Sequence, residues 1–142
     1  LLKDELIEPF IVMNGDILTL IDFGDLYQKA IKSESLLTIS IKKEITPFAF
    51  GNIFFEGNRV TDIQEKPDFV NHILAGIYVM KPEIFKYFPI DQYFGMDALI
   101  KIMLSEKALI TKYDLKEYWL DIGRLSDYEQ AQEAYTKHFT EE

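Results

Sequence analysis

Cysteine is absent from the 142 residues, so neither a disulfide framework nor a thiolate metal site is available. Histidine is scarce: His72 and His138 are too few for a histidine-rich metal centre. Basic residues are in deficit, 15 against 24 acidic, for a formal charge of −9. A surface this acidic repels nucleic acid and anionic membranes, so neither is an expected partner. Long apolar runs are missing too. The longest, residues 74–80, is far too short to cross a bilayer. The first ten residues carry acids and no apolar core of the kind a signal peptide needs. No GxxxxGK[ST] occurs, which excludes a P-loop ATPase, and Ser33, Ser35 and Ser40 lack the flanking glycines of a nucleophile elbow. These absences lead us to expect a soluble cytoplasmic domain that meets any phosphate ligand with local help: a metal ion, a lysine or aimed backbone N–H groups.

What is present is ordinary for a folded protein: 48% hydrophobic and 27% charged residues, enough for one domain over residues 1–142 with a real core. The chain opens at Leu1 and reaches a strong strand pattern within ten residues. We therefore expect part of a longer protein.

The apolar run at residues 9–13 has no alternation, as in a strand buried on both faces. Asp22 is placed to cap a helix to about Lys32, and residues 36–42 read as a second strand. Strand, helix, strand in order predicts an α/β fold. Residues 51–55 and 59–65 flank Glu56-Gly57-Asn58 and predict a hairpin, stopped by Lys66-Pro67. Further expected elements are a strand at 73–80, a short helix at 82–88 opened by Pro82 and a helix at 96–105. Two short strands follow at 109–113 and 118–122, then a last helix opened by Ser126 with Glu129 at capping-box spacing. Tyr78, Tyr87, Phe88, Tyr93 and Phe94 make the middle aromatic, mostly as core.

Four segments could carry chemistry. Asn14-Gly15-Asp16 follows a buried strand directly. At the carboxyl end of such a strand Asp16 can hold Mg²⁺, or the triplet is a plain turn. Glu65-Lys66 is a phosphate contact or a surface charge pair. Asp121 alternates with apolar neighbours and faces either the same crevice or solvent. Gly51 lets a ligand lie on the backbone or simply opens a strand.

In order, FIVMNGD (residues 10–16), FGN (50–52), GNRVTDIQEKP (57–67), LAGIYVM (74–80) and YWLDIGRLSDYEQA (118–131) resemble the sugar-1-phosphate nucleotidyltransferases. The pattern is similar to the group of mannose-1-phosphate guanylyltransferase and glucose-1-phosphate thymidylyltransferase. Each motif alone is weak; five in order over nearly the whole chain are specific. The resemblance implies an enzyme that joins a nucleoside triphosphate to a sugar 1-phosphate and releases pyrophosphate, with Mg²⁺ as cofactor. It implies that Asp16 and Asp121 hold the metal and that Lys66 contacts the sugar phosphate. Glu65 and Gly51 fall on sugar-contacting positions, and Asn14, Gly15, Ala75 and Gly76 on substrate-binding ones.

The resemblance also implies a fold: a truncated Rossmann-like, mixed and mostly parallel sheet with flanking helices and a β-hairpin sugar-binding lobe. The chain departs from the family at several points. The family's glycine-rich triphosphate loop with its arginine is not among these residues. Leu74 stands where many relatives have asparagine, and Phe50 where tyrosine is common. No hexapeptide repeat occurs among these residues. The expectation is the C-terminal part of a catalytic domain, inactive alone and self-associating as a homodimer over its uncovered sheet. The alternative is a non-catalytic sugar-phosphate-binding or regulatory subunit of the same fold.

Overall fold

The computed structural model describes residues 4–89 and 92–139. Its elements in chain order are β1 (Phe10–Met13), β2 (Ile17–Thr19), α1 (Phe23–Lys32), β3 (Leu37–Pro47), β4 (Asn52–Glu56), β5 (Arg59–Gln64) and β6 (Asp68–Met80). A 3-10 helix (Pro82–Tyr87), α2 (Met96–Ser105), β7 (Ile110–Leu115), β8 (Trp119–Asp121) and α3 (Leu125–His138) complete it.

The main sheet has the order β1-β6-β3-β7. β6 runs antiparallel to β1 and β3, and β3 runs parallel to β7. Three of its four strands therefore point one way and β6 the other: a mixed sheet in an α/β fold, as expected, although only the β3–β7 pairing is parallel because β6 lies between β1 and β3. Strand alternation sends β6 side chains to two cores. Ala75, Ile77 and Val79 join Ile21, Leu26 and Ala30 on the α1 side. Tyr78 and Met80 join Leu37, Ile84, Leu99 and Met103 on the side of the 3-10 helix and α2.

The helices follow from local chemistry. The Asp22 side chain accepts the Asp25 N–H at 2.8 Å and caps α1. The expected capping box at Ser126 and Glu129 is displaced. Helix α3 starts two residues earlier in register, and the Asp127 carboxylate accepts the Arg124 N–H at 2.8 Å. Asp fills this place because the third helical residue is the one that reaches back to the cap. Of the middle aromatics, expected mostly as core, Tyr93 is 97% exposed.

Two features were not expected. β3 and β6 run on as a paired ribbon to Pro47 and Asp68, and the β4–β5 hairpin follows at its end. Within the ribbon, pairing passes from Ile39 with Tyr78 to Ile41 with Leu74. Ser40 alone thus stands against Ala75, Gly76 and Ile77, which makes a bulge on β6.

Candidate functional site

The bulge is where the sequence motifs meet. Gly76 adopts φ +69°, the left-handed region open to glycine. A Cβ there would lie 2.9 Å from the Asn14 amide nitrogen. The Asn14 backbone N–H donates to the Gly76 carbonyl at 2.9 Å, and the Trp119 indole N–H donates to the Ala75 carbonyl at 2.8 Å. The loop after β1 and the strand β8 are thus both fastened to consecutive residues of β6.

The β2–β8 pair sets the backbone of Asp16, in the turn before β2, beside that of Asp121, the last residue of β8. Ile17 stands opposite Asp121, and the Ile122 N–H donates to the Asp16 carbonyl at 2.8 Å. Asp16 ends a turn, so strand alternation does not fix the direction of its side chain. Both aspartates are exposed, and neither carboxylate has a hydrogen-bonding or ion-pair partner among the described residues. The alternation around Asp121 resolves with Trp119 and Leu120 half-buried and Asp121 in solvent.

These two carboxylates fit Mg²⁺. The ion commonly takes one or two carboxylates and completes its shell with water and substrate phosphate. No cluster of three or more metal-ligating side chains occurs among the described residues, so an all-protein cage is not what the fold offers.

Gly51, Glu65 and Lys66 form a second group. A Cβ on Gly51 would lie 3.1 Å from the Glu65 carboxylate. Lys66 sits at φ +45°, which costs a non-glycine residue about 1–2 kcal/mol. It is exposed and makes no ion pair among the described residues. The hairpin carries this group away from the bulge. Ten residues of β6 and its approach separate Lys66 from Gly76, about 30 Å if the strand ran straight.

Site residues the motifs did not single out are Trp119 and Ser40. Trp119 lies inside the YWLDIG motif, and an indole N–H in a core needs an acceptor; that was the available signal. Ser40 gave none.

The model of the nucleotidyl transferase family matches residues 1–138. Mannose-1-phosphate guanyltransferase of Schizosaccharomyces pombe is 32% identical over 127 residues, 84% of this chain and 34% of that protein. The Saccharomyces cerevisiae mannose-1-phosphate guanyltransferase is 30% identical, again over 84% of this chain and 34% of its own. HddC from Yersinia pseudotuberculosis, solved with GMP-PN, superposes with a TM-score of 0.61 at 25% identity, covering 90% of this chain and 56% of that one. A Bacillus anthracis chain solved with sucrose gives a TM-score of 0.70 over 99% of this chain and 60% of its own. At 16% identity that likeness shows the fold. The chain spans about a third of the length of the curated relatives it matches. On a match that runs from its first residue to His138 at the end of α3, this chain belongs to the nucleotidyl transferase family.

Proposed function

We propose that the chain carries the sugar-phosphate and metal-binding part of a sugar-1-phosphate nucleotidyltransferase. The reaction would form a nucleoside diphosphate sugar and pyrophosphate. A phosphate oxygen of the sugar 1-phosphate attacks the α-phosphorus of the triphosphate in line. The new P–O bond forms as the bond from the α-phosphorus to the bridging oxygen breaks, and pyrophosphate leaves with that electron pair. The observation that supports this most is the meeting of three motifs at the β6 bulge, with Asp16 and Asp121 left unpaired on adjacent segments.

In this reading Asp16 and Asp121 hold Mg²⁺, which supplies charge neutralisation at the reacting phosphates. Lys66 contributes a compact positive charge to the sugar phosphate. Glu65 and the open backbone at Gly51 receive the sugar, and Asn14, Gly15, Ala75 and Gly76 shape the floor beneath the substrate. Catalysis is then mainly positioning and electrostatic stabilisation. With a net charge of −9, such local cations offset the repulsion a phosphate substrate would otherwise meet.

The glycine-rich loop that would cradle the triphosphate is not in these residues, so the isolated chain should lack turnover. The assay is pyrophosphate release from Mg²⁺, a panel of nucleoside triphosphates and a panel of hexose 1-phosphates. No release above the protein-free control is expected. Robust turnover by these 142 residues would overturn the claim that the site is partial.

A further inference from the structure

We infer that Trp119 is a positioning residue for the metal-binding carboxylates, acting through its hydrogen bond to the β6 bulge. The inference rests on the reading of Asp16 and Asp121 as metal ligands. It adds a residue that touches neither metal nor substrate.

Little in its own strand pair holds Asp121 in place. β8 is three residues long and pairs only with β2, itself three residues long. An isolated pair of strands this short is at best marginal in water. Flanking bonds help the pair: Leu20 N–H to the Tyr118 carbonyl at 3.0 Å, and the Thr19 hydroxyl to the same carbonyl at 2.8 Å. These bonds join β2 to β8. They do not join either strand to the main sheet.

Among the described residues the Lys42 ammonium of β3 holds the approach to β8, donating to the Glu117 carbonyl at 2.7 Å, and two bonds tie the acid-bearing segments themselves to β6. On the Asp16 side it is Asn14 N–H to the Gly76 carbonyl. On the Asp121 side it is the Trp119 indole N–H to the Ala75 carbonyl, two residues before the carboxylate. The bulge breaks the β3–β6 ladder at these residues. Their carbonyls are taken by the two acid-bearing segments, one each. The Trp119 ring also packs against the core cluster containing Ala75 and Ile77. Ring packing sets depth; the directed N–H bond sets the rotation and register of β8, and so where Asp121 stands relative to Asp16.

The test uses the fact that Trp119 is the only tryptophan. Mn²⁺, which stands in for Mg²⁺, is titrated into the full chain and followed by electron paramagnetic resonance of the free ion. The wild type should bind saturably, and Asp121→Asn should not. Trp119→Phe keeps an aromatic ring and loses the donor. It should bind about tenfold or more weakly, the scale on which support of metal ligands is felt. Far-ultraviolet circular dichroism confirms that the variant is folded at the titration temperature.

Biosynthetic replacement of Trp119 by benzothienylalanine, in which sulfur replaces the indole N–H, removes only the hydrogen bond and keeps the volume. It should weaken Mn²⁺ binding likewise, which a purely space-filling role would not do. Unchanged affinity in the folded benzothienylalanine protein overturns the inference and leaves the metal site standing. A wild type that binds no Mn²⁺ overturns the metal reading, and the positioning role falls with it.

Discussion

Gly76 and Ser40 show the cost of the β6 bulge residue by residue. Gly76 supplies a backbone turn that an L side chain resists, in contact with Asn14. Opposite it, the Ser40 hydroxyl is fully buried without a hydrogen-bond partner among the described residues. A buried unsatisfied hydroxyl costs about 1–3 kcal/mol. Unfavourable local features persist where something else requires them, and functional sites are the usual place. Ser40→Ala should therefore leave the chain as stable as before, or more stable by about 1 kcal/mol. Thermal denaturation checks this; a clear loss of stability would mean that the hydroxyl has a favourable role. Gly76, Ala75 and the two aspartates drew attention in the sequence because they fall inside motifs. The Trp119 bond did not, because its acceptor lies 44 residues away and is a backbone carbonyl. Ser40 reads as an ordinary strand residue until the register slip opposite it is seen.

Helix α1 is tied to the sheet by a bond with a pH signature. The Tyr113 hydroxyl donates to the Asp25 carboxylate at 2.9 Å. Burial first, and then the Asp25 carboxylate, push the Tyr113 phenol above its ordinary value. Lys29 first, and then Tyr113, hold the exposed Asp25 carboxylate below its own. A phenol with a raised folded-state value contributes stability that is complete below the unfolded value, about pH 10, and is lost as pH rises through the folded one. Wild-type stability should fall above about pH 10 more steeply than that of Tyr113→Phe. The variant should be less stable near neutrality by about 1–2 kcal/mol. Denaturant titrations at pH 8 and 10.5 measure both; parallel pH curves would contradict the account.

The hairpin and α2, which have strong local signals, were legible in the sequence. β1 was legible as a strand, but its unbroken apolar run predicted burial on both faces, whereas it lies at the sheet edge with Ile11 and Met13 exposed. The outer ribbon was not legible. Lys42, Lys43 and Glu44 look like a strand end. They continue the strand because both faces of the ribbon are exposed there, so charged side chains cost little. β2 was hidden because three residues beside a turn carry no period of their own.

At the scale of the whole molecule, the main sheet presents one guarded edge and one open one. β7 carries Lys112 and Asp114, which pair with each other, and charge on an edge discourages strand addition. β1 at the other edge is Phe-Ile-Val-Met without a charge, and Ile11 and Met13 are each 38% exposed. The hairpin adds apolar surface, with Phe55 69% exposed. We predict self-association through these surfaces, opposed by the −9 charge and hence strengthened by salt. Light scattering over a range of concentrations and ionic strengths should show growing mass. A monomer at high concentration and high salt would count against it. No helix among the described residues is long and apolar enough to cross a membrane.

At this scale the site also has two halves, the acids at the bulge and Lys66 at the base of the hairpin. One sugar phosphate can touch both only if the ribbon carries the hairpin back over the bulge. The account therefore turns on whether these residues together bind the proposed substrate. The most direct measurement is calorimetric titration of a panel of hexose 1-phosphates, in Mg²⁺, into the wild-type chain and into Lys66→Ala. Saturable binding by the wild type that is lost in the folded variant is the predicted result. No binding by the wild type, or equal binding by the two proteins, would contradict the assignment of a sugar-phosphate site to this chain.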